Sequence, residues 1–248
     1  MVTRSSPPAV VGFTRCQAYS RDRLVAVEEF VEMKNKNVLG AEIFVIGEEV
    51  IWDGFYHQNR PDELPLVPSA EILPPCISNE ELELAKSVIG KIIQEAGIRH
   101  GELNVEFYFT QDDEVFVIEI NPRQGGNNLP QLVKDYCGLD LTKLLLTTAV
   151  NDQSYYNELS HHTHNKNYIA QHVVFTCQNG TYDGIEIHSS IAPYVYRIEE
   201  EHLRGDVIEK SENAGGVVAY VCLKFKTREE QLSVVDTMER YVNIKYRN

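Results

Sequence analysis

Apolar and polar positions alternate most strictly over residues 103–123, LNVEFYFTQDDEVFVIEINPR. Leu103, Val105, Phe107 and Phe109 share one face of a first strand, and Phe116, Ile118 and Ile120 share one face of a second. The Asp112-Asp113 step between them predicts a tight turn, so the pair reads as a hairpin. Helical spacing appears just upstream. Ser78-Asn79-Glu80-Glu81 has the form of a capping box, Leu82, Ala85, Ile89, Ile92, Ile93 and Ala96 recur on one face, and Gly97 suits a left-handed C-terminal position.

The same reading predicts a helix over 9–19 after a polar lead-in ending in Pro7-Pro8, and a strand over 24–31 interrupted by Glu28-Glu29. A hairpin follows over 38–51 around Gly47-Glu48, then a Pro-containing loop over 52–75 in which His57, Gln58, Asn59 and Arg60 either face a substrate or are solvated. Beyond the acidic hairpin come short helices over 129–136 and 141–150, the second capped by Asp140. Residues 151–167 read as a solvated linker. Strands at 169–175, 191–198 and 217–225 then precede a terminal helix that starts at Thr227 and buries Leu232, Val235, Met238 and Val242. The fold class is α+β: an antiparallel sheet with flanking helices over 1–150, a linker over 151–167, and a small C-terminal α+β subdomain over 168–248.

Candidate chemistry concentrates in the acidic hairpin. A turn symmetric about Asp112-Asp113 sets Glu106 opposite Glu119 and Asn104 opposite Asn121. Facing like charges destabilise a ladder, and a shared cation resolves the conflict. Hard Mg2+ (or Mn2+) prefers oxygen ligands and keeps waters, so Glu106, Glu119 and the Asn121 amide oxygen make a partial cage, with Arg123 placed to clamp an anion nearby. Gly125-Gly126 can bring bare backbone N–H groups to that anion. The structural alternatives are a solvated acidic face and an ordinary Gly turn.

Composition narrows the function. The 248-residue chain is 43% hydrophobic and 24% charged, an ordinary globular balance. With 23 basic and 37 acidic side chains its net charge is −14, which disfavours a nucleic-acid partner but not a nucleotide bound through metal. Five scattered cysteines without a CxxC pair fit a reducing compartment. No basic-then-apolar leader follows Met1 and no apolar run has membrane-spanning length, so the cytoplasm is expected and a membrane is not. His161, His162 and His164 lack a complementary ligand cluster and are not read as a zinc site. A homo-oligomer is compatible with the sequence.

Glu119-Ile120-Asn121-Pro122-Arg123 followed by Gly125-Gly126, with Glu106 on the partner strand, resembles the metal-binding hairpin of the ATP-grasp superfamily. The order of 27–31, sheet, helix and hairpin is similar to the second lobe of that fold, and 215–230 resembles the C-terminal part of its L-amino-acid ligases. The resemblance implies that Glu106, Glu119 and Asn121 hold Mg2+ on ATP phosphates and that Arg123 stabilises an acyl phosphate. It implies further that the backbone around Glu28, Glu29, Phe30 and Val31 reads adenine. Met33-Lys34-Asn35-Lys36-Asn37 departs from the family, which commonly has a Gly and a ribose-binding Glu there. The first lobe, with its phosphate-binding lysines and Gly-rich loop, is not found in the chain. The implied function is the C-terminal catalytic portion of an ATP-dependent carboxylate-amine ligase, completed by a lobe in cis or trans. A non-catalytic remnant or interaction subunit is the alternative, and a metal-dependent hydrolase a third.

Overall fold

Period-two runs of bulky side chains assemble a mainly antiparallel architecture. The computed structural model describes residues 9–35, 38–60, 67–159, 167–211 and 214–247. Two compact units are present, Met1–Glu32 and Met33–Asn248. The first holds helix α1 (Ala9–Tyr19), followed by irregular chain. The strand expected over 24–31 does not form. Its apolar members Leu24 and Val27 are 74% and 82% exposed, and the Glu28-Glu29 pair breaks the alternation that would give it a buried face.

In the second unit, strands β1 (Val38–Ile46), β2 (Glu49–Asn59), β3 (Ala70–Leu73), β4 (His100–Phe109), β5 (Val115–Asn121), β6 (Tyr168–Phe175), β8 (Val195–Glu200) and β10 (Val217–Phe225) form one sheet. Its order is β5-β4-β1-β2-β3-β6-β10-β8. Strands β7 (Gly180–Ile187), β9 (Val207–Ile208) and β11 (Val242–Arg247) form a smaller one, β11-β7-β9. The ladder from β3 to β6 crosses the division expected at 151–167, because Glu71 pairs with Gln171 and Ile72 with Ala170. Of the loop expected over 52–75, residues 52–59 belong to β2 and 70–73 to β3, since the prolines that suggested a loop begin only after β2 has ended.

Two layers of helix cover the large sheet. On one face, Leu39, Ala41, Ile43, Leu103, Val105 and Phe107 pack against Ala85, Ile89 and Ile93 of α2 (Asn79–Glu95). The capping box of α2 is present, with Ser78 and Glu81 each bonding the other's backbone. On the other face, Phe44, Tyr56 and Leu73 pack against α3 (Leu129–Cys137), α4 (Leu141–Ala149) and Tyr155 of α5 (Ser154–Leu159). Helix α5 occupies part of the expected linker: the Tyr155 hydroxyl accepts from the Asp140 N–H at 2.7 Å and fixes it to the start of α4. Helix α6 (Arg228–Val235) stops before Val242, and the alternating VNIKYR that follows is strand β11, paired with β7. Residues 1–8 and His161, His162 and His164 lie outside the described residues. No helix among the described residues is long and apolar enough to cross a membrane.

Candidate functional site

The face of the sheet turned toward α3 carries a row of polar side chains that strand alternation alone would make apolar. From β1 across to the edge strand β8, Val38, Gln58, Glu71, Gln171, Cys222 and Arg197 stand in register. The opposite side of the same strands presents Leu39, His57, Ile72, Ala170 and Leu223 to the core. Beside this row, β4 contributes Glu102, Asn104 and Glu106, and β1 contributes Glu42.

The hairpin pairs Glu106 with Glu119 and Asn104 with Asn121. It reaches that register by two compensating departures. The loop is asymmetric: Thr110 N–H bonds the Glu114 carbonyl at 2.8 Å and Asp113 takes a left-handed φ of 61°. A bulge at Ile118 then restores the offset, since Phe107 pairs with Val117 while Glu106 pairs with Glu119. The bulge puts Ile118 and Glu119 consecutively on the outward side. Val115, Val117 and Ile120 are therefore the residues of β5 that pack on the core, rather than Phe116, Ile118 and Ile120. Phe116 instead stacks on Tyr108 at 5.1 Å, and with the 43%-exposed Ile118 it makes an apolar platform beside the acids.

Glu106 is held from β2. The Arg60 guanidinium reaches one of its oxygens at 3.1 Å and the Gln58 amide the other at 3.4 Å. Glu119 accepts from the Asn121 amide at 2.8 Å. Two carboxylates and an amide are a hard, oxygen-rich donor set that fits Mg2+ or Mn2+, with water and phosphate completing the shell. Among the described residues no group of three or more His, Cys, Asp or Glu gathers around a single point.

The loop after β5 is tied to the buried acids. Gly125 donates its N–H to Glu42 at 2.9 Å, and a Cβ on Gly125 would lie 2.2 Å from the same carboxylate. Its N–H thus serves the loop's own anchorage rather than standing open to an anion. Gly126 is exposed, with nothing within 4 Å of where its Cβ would be. Asn127 and Asn128 follow with φ of 52° and 55°, a left-handed pair that Asn tolerates and that turns the chain into α3. The Asn127 amide bonds Glu71 at 2.9 Å, and the Gln171 amide reaches the other Glu71 oxygen at 3.3 Å. Arg123 is exposed and donates to the Gln124 carbonyl at 2.8 Å.

Burial dominates the electrostatics of these acids. Glu42 also accepts from the Asn104 amide, yet desolvation raises its pKa well above the ordinary carboxylate range, and Glu102 beside it reinforces the rise. Burial raises Glu102 as well, and no hydrogen bond of ordinary geometry reaches its oxygens. Glu71 is pushed by burial to about 7, against the pull of Asn127 and Gln171. Glu42 and Glu71 were not among the residues singled out from the sequence. Their signal was present: a lone acid inside the apolar runs VLGAEIFVI and AEIL is a polar residue at a core position. Glu28, Glu29, Phe30 and Val31 fall in the other compact unit, on irregular chain.

Solved structures share this architecture. The phosphoribosylglycinamide synthetase of Anaerococcus prevotii matches with a TM-score of 0.75 at 22% identity, over 96% of this chain and 60% of that one. The L-amino acid ligase of Bacillus licheniformis matches at 0.74 and 17% identity, over 88% and 55%. This chain has an ATP-grasp fold. A third ATP-grasp neighbour, the biotin carboxylase domain of 2-oxoglutarate carboxylase from Hydrogenobacter thermophilus, was solved with MgADP, ADP and bicarbonate. It matches at 0.63 and 17% identity, over 88% of this chain and 48% of that one. In sequence, an uncharacterised protein of Sinorhizobium fredii, y4rH, is 33% identical over 129 residues, 52% of this chain and 25% of that protein. No family model matches. The chain therefore spans between a quarter and three-fifths of the length of these relatives.

Proposed function

We propose that this chain is the C-terminal catalytic portion of an ATP-dependent carboxylate-amine ligase, with amino acids as the nearest substrate class, completed by a further lobe in cis or in trans. The observation that carries the reading is the direct opposition of Glu106 and Glu119 beside Asn121, at the β4–β5 edge of an ATP-grasp sheet. An arrangement that costs stability on its own is explained by the cation it would share. In this reading Glu106, Glu119 and Asn121 hold Mg2+ (or Mn2+), which when bound neutralises charge on the ATP phosphates.

The Tyr108–Phe116 stack and Ile118 offer a flat apolar surface next to that charge. The backbone at Glu28, Glu29, Phe30 and Val31 remains the proposed adenine reader. Arg123 and the open backbone at Gly126 face the acyl phosphate, while Gly125 shapes the loop that carries them. The chemistry is two displacements. A carboxylate oxygen attacks the γ-phosphorus and ADP leaves; the neutral amine then attacks the acyl carbon, inorganic phosphate leaves, and the amine nitrogen gives up a proton to solvent or to the departing phosphate. The proposed compartment is the cytoplasm.

Phosphoryl transfer depends on charges that surround the reacting group, so one lobe alone should turn over poorly. The test is phosphate release from ATP with mixed amino acids, measured for this chain alone and with the complementary lobe supplied. Amino-acid-dependent release only in the second case supports the reading. Release in neither case favours a non-catalytic remnant, and ATP hydrolysis without amino-acid dependence favours a hydrolase.

A further inference from the structure

Opposed carboxylates need a cation even before a metal arrives, and the fold supplies one. Arg60, the residue after β2, pairs with Glu106 at 3.1 Å, the two side chains being only 14% and 22% exposed. To do so it spans the width of β1, roughly 10 Å from β2 to β4. It is not held by Glu106 alone. The side-chain amide oxygen of Gln58 accepts from Arg60 Nε at 3.3 Å and from its terminal nitrogen at 2.7 Å, so the guanidinium keeps a second partner on β2 besides Glu106. A guanidinium cannot be neutralised by losing a proton, so its charge stays against Glu106 and competes with a metal ion for the same carboxylate.

We propose that Arg60 is the internal counter-ion of the metal site: it occupies Glu106 until a divalent cation takes its place, and the displaced fork then faces an anionic oxygen of the substrate. The inference rests on the reading of Glu106 and Glu119 as metal ligands. It makes Arg60 a substrate-binding residue whose availability is set by the metal. Gln58, which bonds both Arg60 and Glu106, is the pivot of the exchange. A planar fork freed in this way suits bidentate binding of a carboxylate or phosphoryl group. The expected consequence is order: metal and nucleotide bind first, and the acyl substrate finds its cation only afterwards.

The experiment is Mn2+ titration of the full chain in the presence of ADP, with free Mn2+ read by electron paramagnetic resonance. Wild type is compared with Arg60→Gln, Glu106→Gln, Glu119→Gln and the Arg60→Gln/Glu106→Gln double variant. Removing the competitor should tighten Mn2+ binding by roughly tenfold, and the gain should vanish when Glu106 is already Gln. Metal-free Arg60→Gln should melt below wild type, and saturating Mn2+ should close the gap. Unchanged or weaker Mn2+ affinity in Arg60→Gln overturns the inference. So does an equal gain in the Glu106→Gln background, which would be a general charge effect, or a melting deficit that Mn2+ does not recover, which would be a structural one. If Glu106→Gln and Glu119→Gln both leave Mn2+ binding untouched, the metal reading itself fails and the inference falls with it. Should Arg60→Gln not fold, Arg60→Lys keeps the charge without the fork, and it should tighten Mn2+ by a smaller factor; no change there is equally fatal.

Discussion

Replacing Glu71 by Gln gives a direct view of what the buried acid row costs. Glu71 is fully buried on β3, and burial lifts its pKa from 4.5 to about 7. Between those values the folded protein keeps a proton that the unfolded chain has lost. The contribution of this group to stability is therefore complete below pH 4.5, declines as the pH rises, and is gone above about 7. At about 1.4 kcal/mol per pH unit, the interval amounts to roughly 3 kcal/mol. His57 and His172 act in the opposite sense. Burial holds both near 4, below their ordinary 6.5, so their contribution is present above 6.5 and is lost as the pH falls toward 4. The opposing slopes hide each other in the wild-type profile, and the informative quantity is the difference between variant and wild type. Urea unfolding at pH 5, 6, 7 and 8 should show Glu71→Gln gaining on wild type by roughly 3 kcal/mol as the pH rises from 4.5 to 8. The amides of Asn127 and Gln171 can rotate to meet the new side chain, so any loss of hydrogen bonding is a constant offset. A difference that does not change with pH would refute the assignment of a protonated Glu71 to the folded state.

Gly125→Ala sets a Cβ 2.2 Å from the Glu42 carboxylate and 2.8 Å from Leu129, so the loop must move and surrender the Gly125–Glu42 bond; thermal melts should register a loss of about 1–3 kcal/mol. Gly126→Ala, with open space at the same point, should stay within about 0.5 kcal/mol of wild type, and equal losses at the two positions would contradict the anchor role. Glu119→Gln in the metal-free protein should be as stable as wild type or more so, because it relieves repulsion with Glu106; a marked drop in melting temperature would assign Glu119 a structural task instead.

Much of this was legible because local chemistry and tertiary structure agree. Ser78 and Glu81 cap α2, Asp140 caps α4, and the alternation in β4 gives its buried face residue by residue. The facing of Glu106 and Glu119 was legible too, although through a register that is one residue out near the turn and is corrected by the bulge at Ile118. Bulges leave little trace in an alternation count, which is why the inward residues of β5 were misjudged. Strands β7 and β11 were missed because β7 is mixed in polarity and VNIKYR continues a helical apolar spacing set by Leu232 and Val235. The partners that hold the acids, Arg60 on Glu106, Asn127 on Glu71 and Gly125 on Glu42, join positions about 46 to 83 residues apart, and nothing in a local window encodes such pairings.

The central claim is that Glu106 and Glu119 share a divalent cation on a nucleotide. It is tested most directly by calorimetric titration of ATP into the chain with and without Mn2+, for wild type and Glu119→Gln. The account predicts that Mn2+ strengthens nucleotide binding to wild type and that the greater part of this gain is lost in the variant. The same Mn2+-dependent gain in both proteins would contradict it.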